Sequence, residues 1–328
     1  MNTDADPAIA GYSLLAQDTG VANGAFVSRG QILAHPAFAD VRNAVINNLI
    51  QLFRGDYLLG RLLLEEGRYI TIQTLLHLAA CQQAEERATW LTLGRLQTRL
   101  SGSELASRNR IEALVAILER YGFLERRKAE EDMRVTLLIP TARLWGSDAI
   151  LVEALAQPLT AFRDLQEPGN GLRHVLCRSR IGTAEAGSAG FDPQAPAWSS
   201  RDLASAGAGH RTWHRALAPH LDAFFALRAA HPEIQSLAAR DGGYLTFLLL
   251  LAEANQAQDN RISLPFETLS NHTGVSRTHA RLLMEQAEAC GFVRLKAKGG
   301  REIEPLPALQ QSADIWFADH MAFVLGLG

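Results

Sequence analysis

Residues Ala106–Leu124 read ASRNRIEALVAILERYGFL, and residues Val275–Val293 read VSRTHARLLMEQAEACGFV. The two stretches lie 169 residues apart and align without a gap. Ser107/Ser276, Arg108/Arg277, Leu114/Leu283, Glu119/Glu288, Gly122/Gly291 and Phe123/Phe292 are identical, six positions of nineteen. A repeat at this separation implies one structural unit used twice.

The surroundings of each stretch follow the same order. Upstream of the first copy, Tyr69 opens a helical pattern running to about Glu86, Leu91–Leu100 gives a second, and Ser101–Glu104 gives a turn. The repeated segment is then a third helix, stopped by Gly122. FLERRKAEEDMRVTLLIP reads as strand, charged turn and strand, with Val135, Leu137 and Ile139 expected to alternate inward. In the second copy, Tyr244–Ala257 is helical, Ile262–Leu264 is extended and Pro265 starts the next helix. Thr273-Gly274 makes the turn, Val275–Cys290 is the third helix, and a hairpin follows over Ala297–Arg301. Each hairpin is followed by a trailing helix, where Pro140, Leu144, Ser147 and Ile150 match Pro305, Leu309, Ser312 and Ile315.

The expected fold is therefore mainly α with small β-wings. It is read as tandem winged helix-turn-helix domains in a pseudo-two-fold arrangement around a helical hub. The expected boundaries are an arm over 1–34, a first unit over 35–166, a connector over 167–211 and a second unit over 212–328. Within the third helices, Leu114, Val115, Leu118 and Tyr121, with Leu283, Met284, Ala287 and Cys290, are expected to face the core.

Composition narrows the class. The chain has 328 residues, 47% hydrophobic and 20% charged, with a formal net charge of −3. No apolar run is long enough for a membrane span, and MNTDADPAIAG lacks a basic leader, so a cytoplasmic protein is expected. Charge is uneven: Arg95–Arg143 holds ten Arg/Lys against seven Asp/Glu, and Arg261–Pro307 holds seven against five. Both copies are basic islands in an acidic chain.

In a helix-turn-helix the second helix of the pair offers its first residues to base edges in the major groove. Those residues are Ser107, Arg108, Asn109 and Arg110 in the first copy. In the second they are Ser276, Arg277, Thr278 and His279, with Arg281 a turn further on. Arginine can donate two hydrogen bonds to guanine and asparagine can read adenine. The hairpins carry Arg126, Arg127, Lys128 and Arg134, and Arg294, Lys296, Lys298 and Arg301, which suit phosphate. Glu130, Glu131 and Asp132 weaken the first hairpin for that purpose.

With its order of helix, helix-turn-helix, wing and trailing helix, the chain resembles MarR-type winged-helix transcription regulators, with two protomers fused. The resemblance covers roughly 35–165 and 212–328 and is one of pattern. It implies a DNA-binding regulator in which one chain acts as a pseudo-dimer on double-stranded DNA, with a small-molecule effector as a further candidate partner. A plasmid-type replication initiator and a protein-interaction scaffold are the alternatives.

Other constellations are weaker. His210 and His214 stand four apart on a helical face, but no carboxylate or cysteine is placed as a third ligand and Pro219 interrupts the helix before His220, so a solvated or capping role is expected. Among three scattered cysteines, Cys290 is expected to be core and Cys177, between arginines, is the better redox candidate. Trp145, Trp198, Trp213, Phe224, Phe225, Trp316 and Phe317 read as hub core, with a ligand pocket as the alternative. No phosphate loop, nucleophile elbow or acid pair is present; neither an enzyme, a cofactor nor a metal site is expected.

Overall fold

The computed structural model describes residues 27–55, 62–101, 106–165 and 210–326. They are mainly helical, with two small antiparallel sheets of two strands each. In chain order the first elements are α1 (Arg29–Ala34), α2 (Phe38–Gly55), α3 (Glu66–Ala80), α4 (Leu93–Arg99) and α5 (Arg108–Arg120). Strands β1 (Leu124–Lys128) and β2 (Thr136–Pro140) follow, then α6 (Ala142–Ala156) and α7 (210–217). The remainder comprises α8 (Leu221–Ala229), α9 (Pro232–Ala238), α10 (Gly243–Gln256), α11 (Phe266–Thr273) and α12 (Arg277–Ala289). Strands β3 (Val293–Leu295) and β4 (Ile303–Pro305) and helix α13 (Pro307–Leu325) complete it.

These elements fall into two units that alternate along the sequence. One contains 47–157 and 210–218, the other 27–46, 158–165 and 219–326. Residues 27–46 thus group with the second repeat rather than the first, and α2 is divided after Ile46. The end of the expected arm is also ordered. Ser28 caps α1 through a capping box with Gln31, and Ile32 is fully buried.

In the first-repeat unit, α3 is buried on nearly every side: Ile70, Ile72, Leu75, Leu76 and Leu78 are buried, and so are the polar Thr71, Gln73, Thr74 and His77. Such a helix is stable only inside a core. Glu65 caps its start by accepting from the backbone N–H groups of Gly67 and Arg68. Helix α5 is amphipathic instead: Ile111, Leu114, Val115 and Leu118 are buried and the intervening residues are exposed. Gly122 then adopts φ +72°, a left-handed conformation that favours glycine, and turns the chain into β1. The β1–β2 register pairs Leu124 with Pro140 and Lys128 with Thr136. A backbone hydrogen bond from Leu138 N–H to the Leu91 carbonyl (2.9 Å) ties in the segment before α4.

The second-repeat unit repeats this geometry. Ser276 caps α12, Gly291 adopts φ +73°, and Val293 pairs with Pro305. Ile262, ahead of α11, bridges to Ile303, at the place where Leu91 accepts a single hydrogen bond from Leu138 in the first copy. Phe123 and Phe292 are both buried at 1% exposure or less, worth about 2–3 kcal/mol each by apolar area.

Two expectations about facing are corrected. In β2 the buried residue is Leu138, while Val135, Leu137 and Ile139 are half-exposed. Leu124 is buried beside Phe123, and the register puts 124, 126, 128, 136, 138 and 140 on one face. The continuous apolar run TLLI carries no parity of its own. At the ends of the third helices, Tyr121 is exposed and Cys290 half-buried, because α5 and α12 stop one residue earlier and helical spacing no longer applies.

Helix α13 carries an acid-sensitive contact. His320 is half-buried in the second-repeat unit and donates from Nδ1 to the Trp316 carbonyl at 2.7 Å, while its buried Nε2 has no partner. Burial, then the Arg228 guanidinium, hold its pKa well below the ordinary value. A depressed histidine pKa contributes stability that is full above the unfolded value of about 6.5 and falls as pH drops below it. The urea midpoint of the wild type is expected to fall more steeply between pH 7 and 5 than that of His320→Leu; parallel profiles would contradict this. No helix among the described residues is long and apolar enough to cross a membrane.

Candidate nucleic-acid interface

The six identities of the repeat can be sorted by what each side chain does. Ser107 and Ser276 accept from the backbone N–H of Arg110 and His279 at 3.4 and 3.2 Å, capping α5 and α12. Leu114 and Leu283 are buried, as are Phe123 and Phe292, and Gly122 and Gly291 make the turns. Glu119 accepts from Arg126 Nε at 3.0 Å, and Glu288 accepts from the backbone N–H of Leu295 at 2.8 Å. Residues 126 and 295 are equivalent, so the same glutamate fastens the first strand to its helix in both copies. From the sequence alone the glutamate has no assigned role beyond its identity in the two copies. Five identities are therefore explained by folding.

The sixth, Arg108/Arg277, is not. Both arginines are the first residue of their helix and both are exposed. Arg277 Nη2 lies 3.5 Å from Glu267, with both side chains about 70% exposed, a contact worth about 0–1 kcal/mol. Neither helix has an acidic residue in its first turn. Two helix N-termini, each with its partial positive charge, thus present an arginine.

The other expected residues divide into two groups. Ser107, Asn109, Arg110, Ser276, Thr278, Arg281, Lys298 and Arg301 are exposed. Arg281 is within 3.2 Å of Glu285, one turn along α12. His279 is half-buried and donates from Nε2 to the Asp241 carbonyl at 3.0 Å, which fixes its ring.

Six of the eight hairpin cations have carboxylate or hydroxyl partners. Arg126 pairs with Glu119 and Arg127 with Glu125, while Lys128 donates to Thr136 Oγ1 at 3.0 Å. Arg134 and Arg87 both bind Asp132, and the hydrogen bond from Arg134 is the main cause holding that carboxyl below its usual range. In the second hairpin Lys296 and Arg294 both reach Glu304, at 2.8 and 3.3 Å, and Lys296 foremost depresses its pKa. Much of the positive charge of both hairpins is thus matched locally.

The histidine pair differs from expectation. His210 and His214 are not solvated; they are 2% and 0% exposed, and their Nε2 atoms lie 2.5 and 2.9 Å from Asp148 Oδ2. Asp148 comes from α6, so the carboxylate that the local sequence lacks is supplied 62 and 66 residues away. Burial raises the Asp148 pKa, but the hydrogen bonds from His210 and His214 outweigh it and hold the carboxyl far below its usual range. Trp145, Trp213, Phe224, Trp316 and Phe317 are buried and Phe225 half-buried. Cys177 and Trp198 lie outside the described residues.

No protein-family model, curated protein or solved structure matches the chain.

Proposed function

We propose that each unit is a winged helix-turn-helix and that the chain is a sequence-specific double-stranded-DNA-binding transcription regulator. α4–α5 and α11–α12 are the helix-turn-helix pairs, and the two hairpins are the wings. The observation that carries the reading is the sorting of the repeat: its one identity without a folding role is an exposed arginine, twice, at the start of the second helix. That is where a recognition helix meets base edges. The heads are not equivalent. Arg108, Asn109 and Arg110 form one reading end; Arg277, Thr278 and the restrained His279 form the other.

Arg108→Ala and Arg277→Ala are each expected to weaken binding to a selected duplex by about 1–3 kcal/mol and to relax preference at separate base positions. Fluorescence anisotropy with fixed salt checks this. Unchanged affinity and preference in the double variant would sink the proposal. A protein-docking scaffold is the second reading, favoured by the hairpin cations being matched by carboxylates. It predicts no steep loss of binding with added salt, whereas phosphate contacts predict one.

A further inference from the structure

We propose that Asp148, His210 and His214 form a binding site for one divalent transition-metal ion of the zinc class. The site lies inside the first-repeat unit and is independent of the DNA-binding reading. Its three donors come from two helices: Asp148 from α6, and His210 and His214 from successive turns of α7. The i, i+4 spacing puts both rings on one helical face. One ligand atom from each residue lies within 4.8 Å of the others, and all three side chains are buried.

The geometry suits a single tetrahedral ion. With metal–nitrogen and metal–oxygen bonds of about 2.0–2.2 Å, ligand atoms stand about 3.3 Å apart and imidazole centres about 5 Å apart. Here the two Nε2 atoms are 2.5 and 2.9 Å from Asp148 Oδ2, and the ring centres are 4.8 Å apart. An opening of less than about 1 Å admits the ion. Each imidazole ligates as a neutral ring through the Nε2 lone pair, its one proton sitting on Nδ1.

Two further features resemble the support a metal ligand receives. Gln73 Nε2 donates to Asp148 Oδ1 at 2.5 Å, leaving Oδ2 to face both histidines. Outer partners of this kind orient a ligating carboxylate. His77, one turn beyond Gln73 on α3, packs edge-on to His214 with ring centres 6.3 Å apart, and its buried Nδ1 has no partner. The donor set itself remains the three residues Asp148, His210 and His214, with a solvent molecule to complete four-coordination. An ion there would join α6 and α7 directly, with α3 held to it through the Gln73 hydrogen bond to Asp148.

The test uses the full chain, stripped with a chelator and titrated with Co²⁺ as a spectroscopic probe, then with Zn²⁺. One equivalent of Co²⁺ should give the visible absorption of a four-coordinate site, and Zn²⁺ should abolish it. His210→Ala/His214→Ala should lose that band, whereas His320→Leu, at a histidine of the other unit, should keep it. Gln73→Leu, which leaves all three ligands in place, should weaken Zn²⁺ binding about 10–100-fold. A folded wild type, verified by circular dichroism, that gives no such band overturns the proposal. So does a band that survives in the double variant. Because the wild-type titration and Gln73→Leu decide the matter, a double variant that does not fold leaves the test intact.

Discussion

Gly243→Ala is expected to be the most damaging single-methyl substitution considered, destabilising the second-repeat unit by at least about 3 kcal/mol. The first residue of α10 lies against the end of α9 so closely that an added Cβ would sit 1.8 Å from the Leu237 carbonyl oxygen and 2.7 Å from its carbon. Both atoms are backbone, so no side chain can swing aside and one of the two helices must move. Overpacking that a side-chain rotation can relieve costs about 1–3 kcal/mol, and rigid backbone collisions lie at or above that range. The consequence reaches the candidate interface, because α10, whose Leu248, Leu249, Leu250 and Leu251 are all buried, packs against α11 and α12. Gly94→Ala is the matched control. It lies in α4 with nothing within 4 Å of its added methyl, so it should be neutral or stabilising by about 0.5–1 kcal/mol. Urea unfolding of both variants distinguishes the cases; equal midpoints would contradict the packing described.

Asp148→Ala is expected to cost the first-repeat unit about 3–5 kcal/mol, the range for removing one partner of a buried charged network. Its carboxylate is 1% exposed and accepts from Gln73, His210 and His214 at once. Alanine leaves three buried donors without an acceptor, and each unsatisfied buried group costs about 1–3 kcal/mol. Asp148→Asn retains one carbonyl acceptor and should cost less. Thermal unfolding in the presence of a chelator measures the hydrogen-bonded network alone. A loss under about 1 kcal/mol for Asp148→Ala would show that the cluster is not the fastening it looks to be.

The legible part of the sequence was what short-range patterns encode. Helix order, the turn glycines and the hairpins follow from residues within a few positions of one another, and they stand where the repeat puts them; the capping role of Ser107 and Ser276, read as DNA contacts, emerged only from the structure. Facing was harder. TLLI is apolar throughout, so only burial of Leu124 across the hairpin decides that Leu138 points inward. Long-range contacts were not legible at all. Nothing near His210 or His214 announces Asp148, and nothing in the apolar surroundings of Asp148 announces two histidines. Nor could local charge counting show that Arg126, Arg134, Arg294 and Lys296 are matched by nearby carboxylates. Under the proposed DNA-binding reading, that pairing leaves less free charge on the hairpins for phosphate and puts more of the expected contact at the helix starts.

The pairing also shapes what the two heads can do. A homodimer presents identical faces to DNA; if the two unlike helix starts read DNA as proposed, their site need not be a palindrome. Arg108 with Asn109 suits adjacent guanine and adenine, while Arg277 with Thr278 suits guanine beside a less demanding position. The central claim, that the two helix starts read DNA, is tested most directly by selecting bound duplexes from a random pool with the full chain. The account predicts enrichment of a site with two unlike half-sites, one of which loses its preference with Arg108→Ala and the other with Arg277→Ala. A pool that stays random through selection, with protein shown to be folded, would contradict it.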